Sequence, residues 1–184
     1  MIYKAFFFLI FFLNCNVIAF AQSNEELARI FDEDQTDRQN KLYKTDLRGF
    51  MLRDSLRLLR VTELLDAGKI TSADDYLNAA FIFQHGRDST AHWKAFELSS
   101  KAVTLGCTKP AAKWLTAASF DRYLLSTGSP QWYGTQFQIK PDGQWILRPI
   151  DSTAVTDSQR VALGVPTLSE TLKSLTERNM KKEK

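Results

Sequence analysis

One stretch near the middle of the chain decides the fold: Tyr76-Leu77-Asn78-Ala79-Ala80-Phe81-Ile82-Phe83. On a helical wheel it is apolar almost all the way round, and a helix of that kind has to be surrounded by other elements. Ser72 and Asp75 precede it with the spacing of a capping box, which predicts where the helix begins. We therefore expect a central helix from Ser72 to His85 with the rest of the domain packed around it.

Helical patterns flank this stretch on both sides. Four further helices are predicted, over Glu25 to Tyr43, Asp46 to Ala67, Ser89 to Gly106, and Pro110 to Ser126. In the second of them, the apolar positions that follow a helical period are Phe50, Met51, Leu56, Leu59 and Leu64. Ser89 is expected to cap the third, and Pro110 suits the first turn of the fourth. Alanine-rich stripes on successive helices indicate helical hairpins that pack closely against one another.

The pattern changes after Gly128. Two β-prone runs, Tyr133–Ile139 and Gln144–Leu147, flank a turn sequence at residues 140–143, which predicts a β-hairpin. Two short helical patterns follow, Thr156 to Leu163 and a last one that begins at Thr167 with Glu170. The predicted fold class is mainly α, with stacked helical hairpins and one β-hairpin in the C-terminal half (α+β by strict count). We expect a single globular domain over residues 22–180 and a basic, frayed tail over residues 181–184.

The first twenty-one residues have the features of a signal peptide. Lys4 is their only charge, Ala5 to Leu13 is an uninterrupted apolar run, and Ala19-Phe20-Ala21 precedes Gln22 as a cleavage site would. The run is shorter than the roughly 20 residues that span a bilayer, although an uncleaved N-terminal anchor remains the alternative. Cleavage would leave Cys107 as the single cysteine, so no internal disulfide is expected. The sequence therefore predicts an exported bacterial protein of the periplasm or the outer surface, without a stable membrane span.

Charge and composition argue against several classes of partner and cofactor. The net charge is +3, and removal of Lys4 from the 24 basic residues against 21 acidic ones leaves +2. That value predicts no strong attraction to nucleic acid. His85, His92 and Cys107 are the soft metal ligands of the mature chain, and they lack the spacing of a zinc site. No phosphate loop and no G-x-S-x-G motif is present, so no metal and no cofactor is expected.

Polar residues interrupt the apolar pattern at three places, and these are the candidate site. Asp121 lies on one helical arc with Trp114, Ala118 and Leu125, so its carboxylate must be paired, hydrogen-bonded or protonated. Its expected partner is His85 or the segment 131–136. The candidate catalytic residues are His85 and Asp121. The candidate ligand-binding residues are Gln84, Arg122, Gln131, Tyr133, Gly134, Thr135 and Gln136.

The sequence is compatible with three functions. The preferred hypothesis is a domain that binds a small molecule or a protein partner in a polar cleft. The cleft would lie between the end of the central helix, the helix of Asp121, and the loop Tyr133–Gln136. The second hypothesis is a hydrolase in which His85 acts as acid or base and Asp121 orients it, with Arg122 or Gln136 stabilising negative charge. The third is a structural network in which these polar groups only satisfy one another.

The same polar residues occur in an order seen in a known bacterial family. The motifs are Asp34-Gln35…Arg38, Gln84-His85, Asp121-Arg122, Gln131-x-Tyr133-Gly134-Thr135-Gln136, Pro149-Ile150-Asp151 and Arg160…Leu163-Gly164. In these the chain resembles the domain-of-unknown-function family numbered 6624. Members often carry a small residue and then an acid directly after the Gln-His pair, whereas Gly86 and Arg87 precede Asp88 here. The resemblance implies that the motif residues form a cluster, and it implies no mechanism.

Overall fold

Eight helices and one two-stranded sheet make up residues 23–181, the part of the chain that this computed structural model describes. The helices are α1 (Glu25–Gln39), α2 (Leu42–Thr45), α3 (Leu47–Asp66), α4 (Ala73–Gln84), α5 (Ser89–Thr104), α6 (Pro110–Ser126), α7 (Asp157–Ala162) and α8 (Leu168–Met180), and the strands are β1 (Phe137–Ile139) and β2 (Trp145–Leu147). The predicted mainly α class with a small β-hairpin is confirmed. The predicted signal peptide, residues 1–21, and the end of the predicted basic tail, residues 182–184, lie outside the described residues.

Helix α4 is the central element, as the sequence predicts. Ser72 caps it, and the Asp75 side chain returns a hydrogen bond to the Ser72 backbone, which completes the capping box. The helix packs against α1, α3, α5 and α6, and its side chains are buried on most sides. Alanines with no exposed surface line the contacts between α4, α5 and α6: Ala79, Ala80, Ala95, Ala102, Ala117 and Ala118. Side chains this small let the helix axes approach closely, so α4–α5 and α5–α6 form two stacked hairpins.

Three details of the helices differ from prediction. The first predicted helix is divided, because the backbone of Lys41 adopts a positive φ of 55° between α1 and α2. Asp88 rather than Ser89 caps α5, since its carboxylate accepts a hydrogen bond from the Ala91 amide. Leu56 and Leu59 were expected to face the core but are exposed. The inward face of α3 instead follows Phe50, Arg57, Val61 and Leu64.

The β-hairpin is shorter than predicted. Its register pairs Phe137 with Leu147, Gln138 with Ile146, and Ile139 with Trp145. Residues 133–136 do not extend the strand, because several of their backbone amides donate to buried side chains. On the other side, Asn179 of α8 bonds to the amide and the carbonyl of Trp145 and holds α8 against β2. None of the helices among residues 23–181 combines the length and the apolar character needed to cross a membrane.

Candidate functional site

The segment Gln131–Gln136, called here the anchored loop, is tied to α6 by one carboxylate. Asp121 has no exposed surface, and its two oxygens accept four hydrogen bonds of 2.8–2.9 Å. The donors are the amides of Trp132, Tyr133 and Thr135 and the hydroxyl of Thr135. A buried carboxylate with this many donors is fully satisfied. Of the two partners that the sequence offered for Asp121, the loop is the one found.

Two further side chains close the anchored loop. The Gln131 amide group donates to the carbonyls of Gln136 and Arg148 and accepts from the Gln136 amide, so it fills the inside of the turn. Arg160 of α7, almost fully buried, donates to the carbonyls of Trp132, Tyr133 and Val155. Because these groups satisfy the backbone of the loop from both sides, its conformation is fixed by tertiary contacts.

Gln136 connects the anchored loop to the end of the central helix. Its side-chain oxygen accepts a hydrogen bond of 3.0 Å from Arg122 Nε, and Arg122 Nη1 donates to the Gln84 carbonyl at 2.7 Å. Arg122 forms no ion pair with any carboxylate of the described residues. Burial and the positive charge of Arg38 lower the pKa of Arg122. Arg122 is partly buried and the hydrogen-bond partners of its guanidinium are all uncharged, so desolvation of the guanidinium is not offset by an ion pair.

The carboxylate beside His85 is Asp34 of α1, and not Asp121. His85 Nδ1 lies 3.1 Å from Asp34 Oδ2 and 2.9 Å from Arg38 Nε, while Arg38 also contacts both oxygens of Asp34. His85 Nε2 has no hydrogen-bond partner among residues 23–181. The side-chain oxygen of neighbouring Gln84 is buried and likewise unpartnered within those residues. The free atoms of the cluster therefore lie at the C-terminal end of α4.

Charged residues on the facing sides of α1 and α3 support this pair. Arg38 Nη2 donates to Asp54 at 3.0 Å, and Arg57 donates to Asp37 at 2.7 Å, while Arg53 reaches the same oxygen of Asp37 at 2.8 Å. The positive and negative groups alternate, so each acid in the network has an arginine partner. The network fixes the position of Asp34 and, through it, the orientation of the His85 ring.

Electrostatics favour a neutral His85 at pH 7. Burial lowers the pKa of His85, the contact with Asp34 offsets part of this effect, and the charges of Arg38 and Arg122 lower the pKa further. Burial acts to raise the pKa of Asp34, but the contacts with His85 and Arg38 outweigh it and lower this pKa below its usual value. At neutral pH the imidazole is uncharged, so Arg38 is the positive group that holds the Asp34 carboxylate.

Acidification is expected to destabilise the protein just below pH 6.5. The unfolded chain takes up a proton on His85 near its ordinary pKa of about 6.5, while the folded protein takes it up only at lower pH. The contribution to stability is thus fully present above about pH 6.5 and declines as the pH falls toward the folded pKa. Urea unfolding at pH 7.5 and 5.5 should give a lower free energy at the acidic value.

The histidine variant gives the control for this pH dependence. His85→Gln should reduce the difference between the two pH values but not abolish it, because burial and Arg122 also lower the pKa of His92. Asp34 titrates at lower pH and does not enter this window. An undiminished difference in His85→Gln would contradict the assignment of the proton to His85.

His92 is a further neighbour of Arg122 that the sequence analysis did not propose as a site residue. Its ring nitrogens lie 3.0 Å from the Gly86 carbonyl and from the Ser126 hydroxyl. Asp34 and Arg38 belong to one of the motifs of the family resemblance and have the i,i+4 spacing of a helix-surface ion pair, which by itself does not indicate a site. Asp54 and Arg57 were not proposed from the sequence. Charges of both signs recur at helical spacing on α1 and α3, and this pattern could have indicated ion pairs between the two helices.

The structure does not bring all the residues of the predicted cleft together. Arg122 joins Gln136 to the carbonyl of Gln84, the residue before His85. Gly134 and Thr135 line a cleft that includes none of these four residues, whereas Gln131 and Asp121 are fully buried. Asp88, displaced relative to the family pattern, caps α5. Among residues 23–181, no cluster of three or more His, Cys, Asp or Glu side chains is suited to a metal ion.

Comparison with known proteins assigns the chain to a family. Residues 62–184 match the model of a family described as a family of unknown function, DUF6624. The chain belongs to this family. The matched segment contains His85, Asp121, Arg122 and the anchored loop, while Asp34 and Arg38 lie before it. No curated protein and no solved structure matches the chain.

Proposed function

We propose that the exported, mature form of this DUF6624 protein binds a ligand through an anionic group at the junction of α4 and α6. One observation carries this proposal: the partly buried Arg122 guanidinium has no carboxylate partner in the described chain. A bound carboxylate or phosphate would supply the missing counter-charge and form charge-assisted hydrogen bonds. Export is supported by the N-terminal sequence alone, and mass spectrometry of the mature chain checks it, with Gln22 expected as the first residue.

The groups around Arg122 suit an anionic ligand, because His85 places a hydrogen-bond donor of the protein near the guanidinium. When His85 Nδ1 accepts the proton of Arg38 Nε, the neutral ring carries its own proton on Nε2 and donates it outward. The Gln84 side-chain oxygen has no protein partner among residues 23–181 but is enclosed, so His85 Nε2 and the Arg122 guanidinium are the groups that face a ligand in this proposal. The positive charges of Arg38 and Arg122 both favour an anion at this place.

Binding of inorganic phosphate and acetate tests the proposal. We expect at least one of them to bind the mature chain in a calorimetric titration and Arg122→Gln to weaken that binding about 10- to 100-fold. A hydrogen bond to a charged group contributes about 1.5–3 kcal/mol, which corresponds to that range. Arg29→Gln is the matched control, because it removes the same charge from an exposed i,i+4 pair with Glu33. Equal weakening in both variants, or no binding of either anion to the wild type, would refute the proposal.

A hydrolase is the second candidate, and the contact of 3.1 Å between Asp34 and His85 favours it. In the other neutral tautomer Nδ1 donates to Asp34, and Nε2 is left with a lone pair that can act as a general base. Arg122 would then stabilise developing negative charge on the substrate. Nitrogen chemical shifts of His85 distinguish the two tautomers. A proton on Nε2 in the free protein would argue against the enzyme.

A further inference from the structure

A cleft lies beside the anchored loop, lined by Gly134 and Thr135 of that loop. It occupies about 780 Å³ between α6, the loop, the α7–α8 connection and α8. This volume is within the range of sites that bind small molecules, which is about 300–1,000 Å³. None of the residues of the His85–Arg122 cluster lines it. The cleft is therefore an independent feature of the molecule.

Two aromatic rings form the apolar walls of this cleft. Trp114 of α6 and Phe137 of β1 line it, and each has 39% of its surface exposed. Trp114 shares a helical arc with the fully buried Asp121, so the sequence pattern predicts that it is buried too. It is exposed because the cleft opens over the first half of α6. Exposed rings in a concave surface offer flat contact area for an apolar or aromatic ligand.

A hydroxyl group without a partner lies in the same cleft. Thr171 of α8 is only 8% exposed, yet its hydroxyl makes no hydrogen bond to any residue of the described chain. The hydroxyls of Thr62, Thr104, Thr116 and Thr176 each bond to the carbonyl four residues earlier in their helices. Thr171 lines the cleft, so its hydroxyl, which no protein group engages, can form a hydrogen bond with a ligand there.

The charged groups of the cleft leave one cation available. The Arg178 guanidinium lies over the Trp145 ring, 3.7 Å from its centroid, and forms no ion pair with a carboxylate of residues 23–181. Glu170, the acid that lines the cleft, is committed to the helix cap, where one oxygen accepts from the amide and the hydroxyl of Thr167. A ligand with a negative group can therefore pair with Arg178.

We propose that this cleft binds an amphipathic organic acid. Its apolar body packs between Trp114 and Phe137, its carboxylate pairs with Arg178, and an oxygen of the ligand bonds to the Thr171 hydroxyl. The site involves no bond making or breaking. It is distinct from the anion site at Arg122 and does not depend on it.

A pair of probes that differ in charge tests the proposal. 1-Naphthylacetate has the apolar body and the carboxylate, and 2-(1-naphthyl)ethanol has the same ring system without the charge. In titrations followed by calorimetry and by the indole signals of the four tryptophans, the acid should bind about tenfold more tightly than the alcohol. The Trp114 signal should shift with saturation of the site.

Two variants assign the binding to this cleft. Arg178→Gln should remove the difference between acid and alcohol, and Thr171→Val, which keeps the shape of the side chain, should weaken both probes about 5- to 10-fold. Arg178→Gln also removes the stacking on Trp145 and could unfold the protein. In that case Thr171→Val, which leaves the stack intact, provides the test. Absence of naphthylacetate binding, or full affinity in Thr171→Val, overturns the proposal.

Failure here and failure of the proposed function give different results. Arg122→Gln should leave the shift of the Trp114 signal by naphthylacetate unchanged, and Thr171→Val should leave unchanged the phosphate or acetate binding that Arg122→Gln weakens. If Arg122→Gln abolishes naphthylacetate binding, the acid occupies the other site and this cleft is not a binding site.

Discussion

Asp121→Asn is expected to lower the free energy of unfolding by about 3–5 kcal/mol. The buried carboxylate accepts four hydrogen bonds, two on each oxygen. The asparagine side chain has one oxygen, and its amide group would point at the donors that the second oxygen now serves. Each lost hydrogen bond to a charged acceptor costs about 1.5–3 kcal/mol, and the stranded donors add their own desolvation cost. Urea unfolding followed by circular dichroism measures the change.

The matched control is Asp88→Asn. Asp88 also accepts a backbone amide, from Ala91 at the start of α5, and asparagine caps a helix about as well as aspartate does. This variant should lie within about 0.5 kcal/mol of the wild type. If Asp121→Asn is equally mild, the anchored loop is held by other contacts and Asp121 returns as a candidate site residue.

Arg160→Met should have the second-largest effect, a loss of about 3 kcal/mol or more. Methionine keeps much of the aliphatic volume but removes the donors that satisfy the carbonyls of Trp132, Tyr133 and Val155. Buried carbonyls left without a partner cost about 1–3 kcal/mol each. Domains of this size have a total stability of about 5–15 kcal/mol, so the variant should be visibly destabilised in the same urea measurement.

Asp157→Asn separates the two roles of Arg160. Asp157 accepts from Arg160 at 3.1 Å and from the Leu168 amide at 3.0 Å, and its side chain is half exposed. Asparagine retains an acceptor oxygen, and solvent screens the half-exposed Asp157 carboxylate although Arg160 is buried, so we expect a smaller loss than in Arg160→Met. A loss in Asp157→Asn as large as that in Arg160→Met would show that the ion pair, and not the carbonyl contacts, carries the stability.

The helical part of the fold was predictable because its causes are local. The capping box of Ser72 with Asp75 and that of Thr167 with Glu170 set two helix starts within one residue of their predicted places. The orientation of α3 was not predictable in the same way. Its two faces carry leucines at helical spacing, and packing against the neighbouring helices decides which face is buried.

The sequence predicted several residues of the candidate site, but it did not predict which of them contact one another. Sequence reasoning selected Gln84, Arg122 and Gln136, which are in contact through Arg122, but it offered Asp121 where the structure places Asp34 beside His85. Asp34 and His85 are 51 positions apart in the chain, and no local periodicity specifies a contact at that separation. Only the packing of α1 against the end of α4 creates the pair.

Local chemistry by itself determined the central apolar helix, its caps, the hairpin turn, and the requirement that Asp121 find partners, because these follow from neighbouring residues and from the cost of burying a charge. The tertiary structure decided which partners those were. It enclosed Asp121 with the backbone of the anchored loop, left Arg122 without a carboxylate partner among residues 23–181, and opened a separate cleft beside Trp114. Such outcomes depend on how helices that are distant in the sequence pack against one another, and no single segment of the sequence encodes that packing.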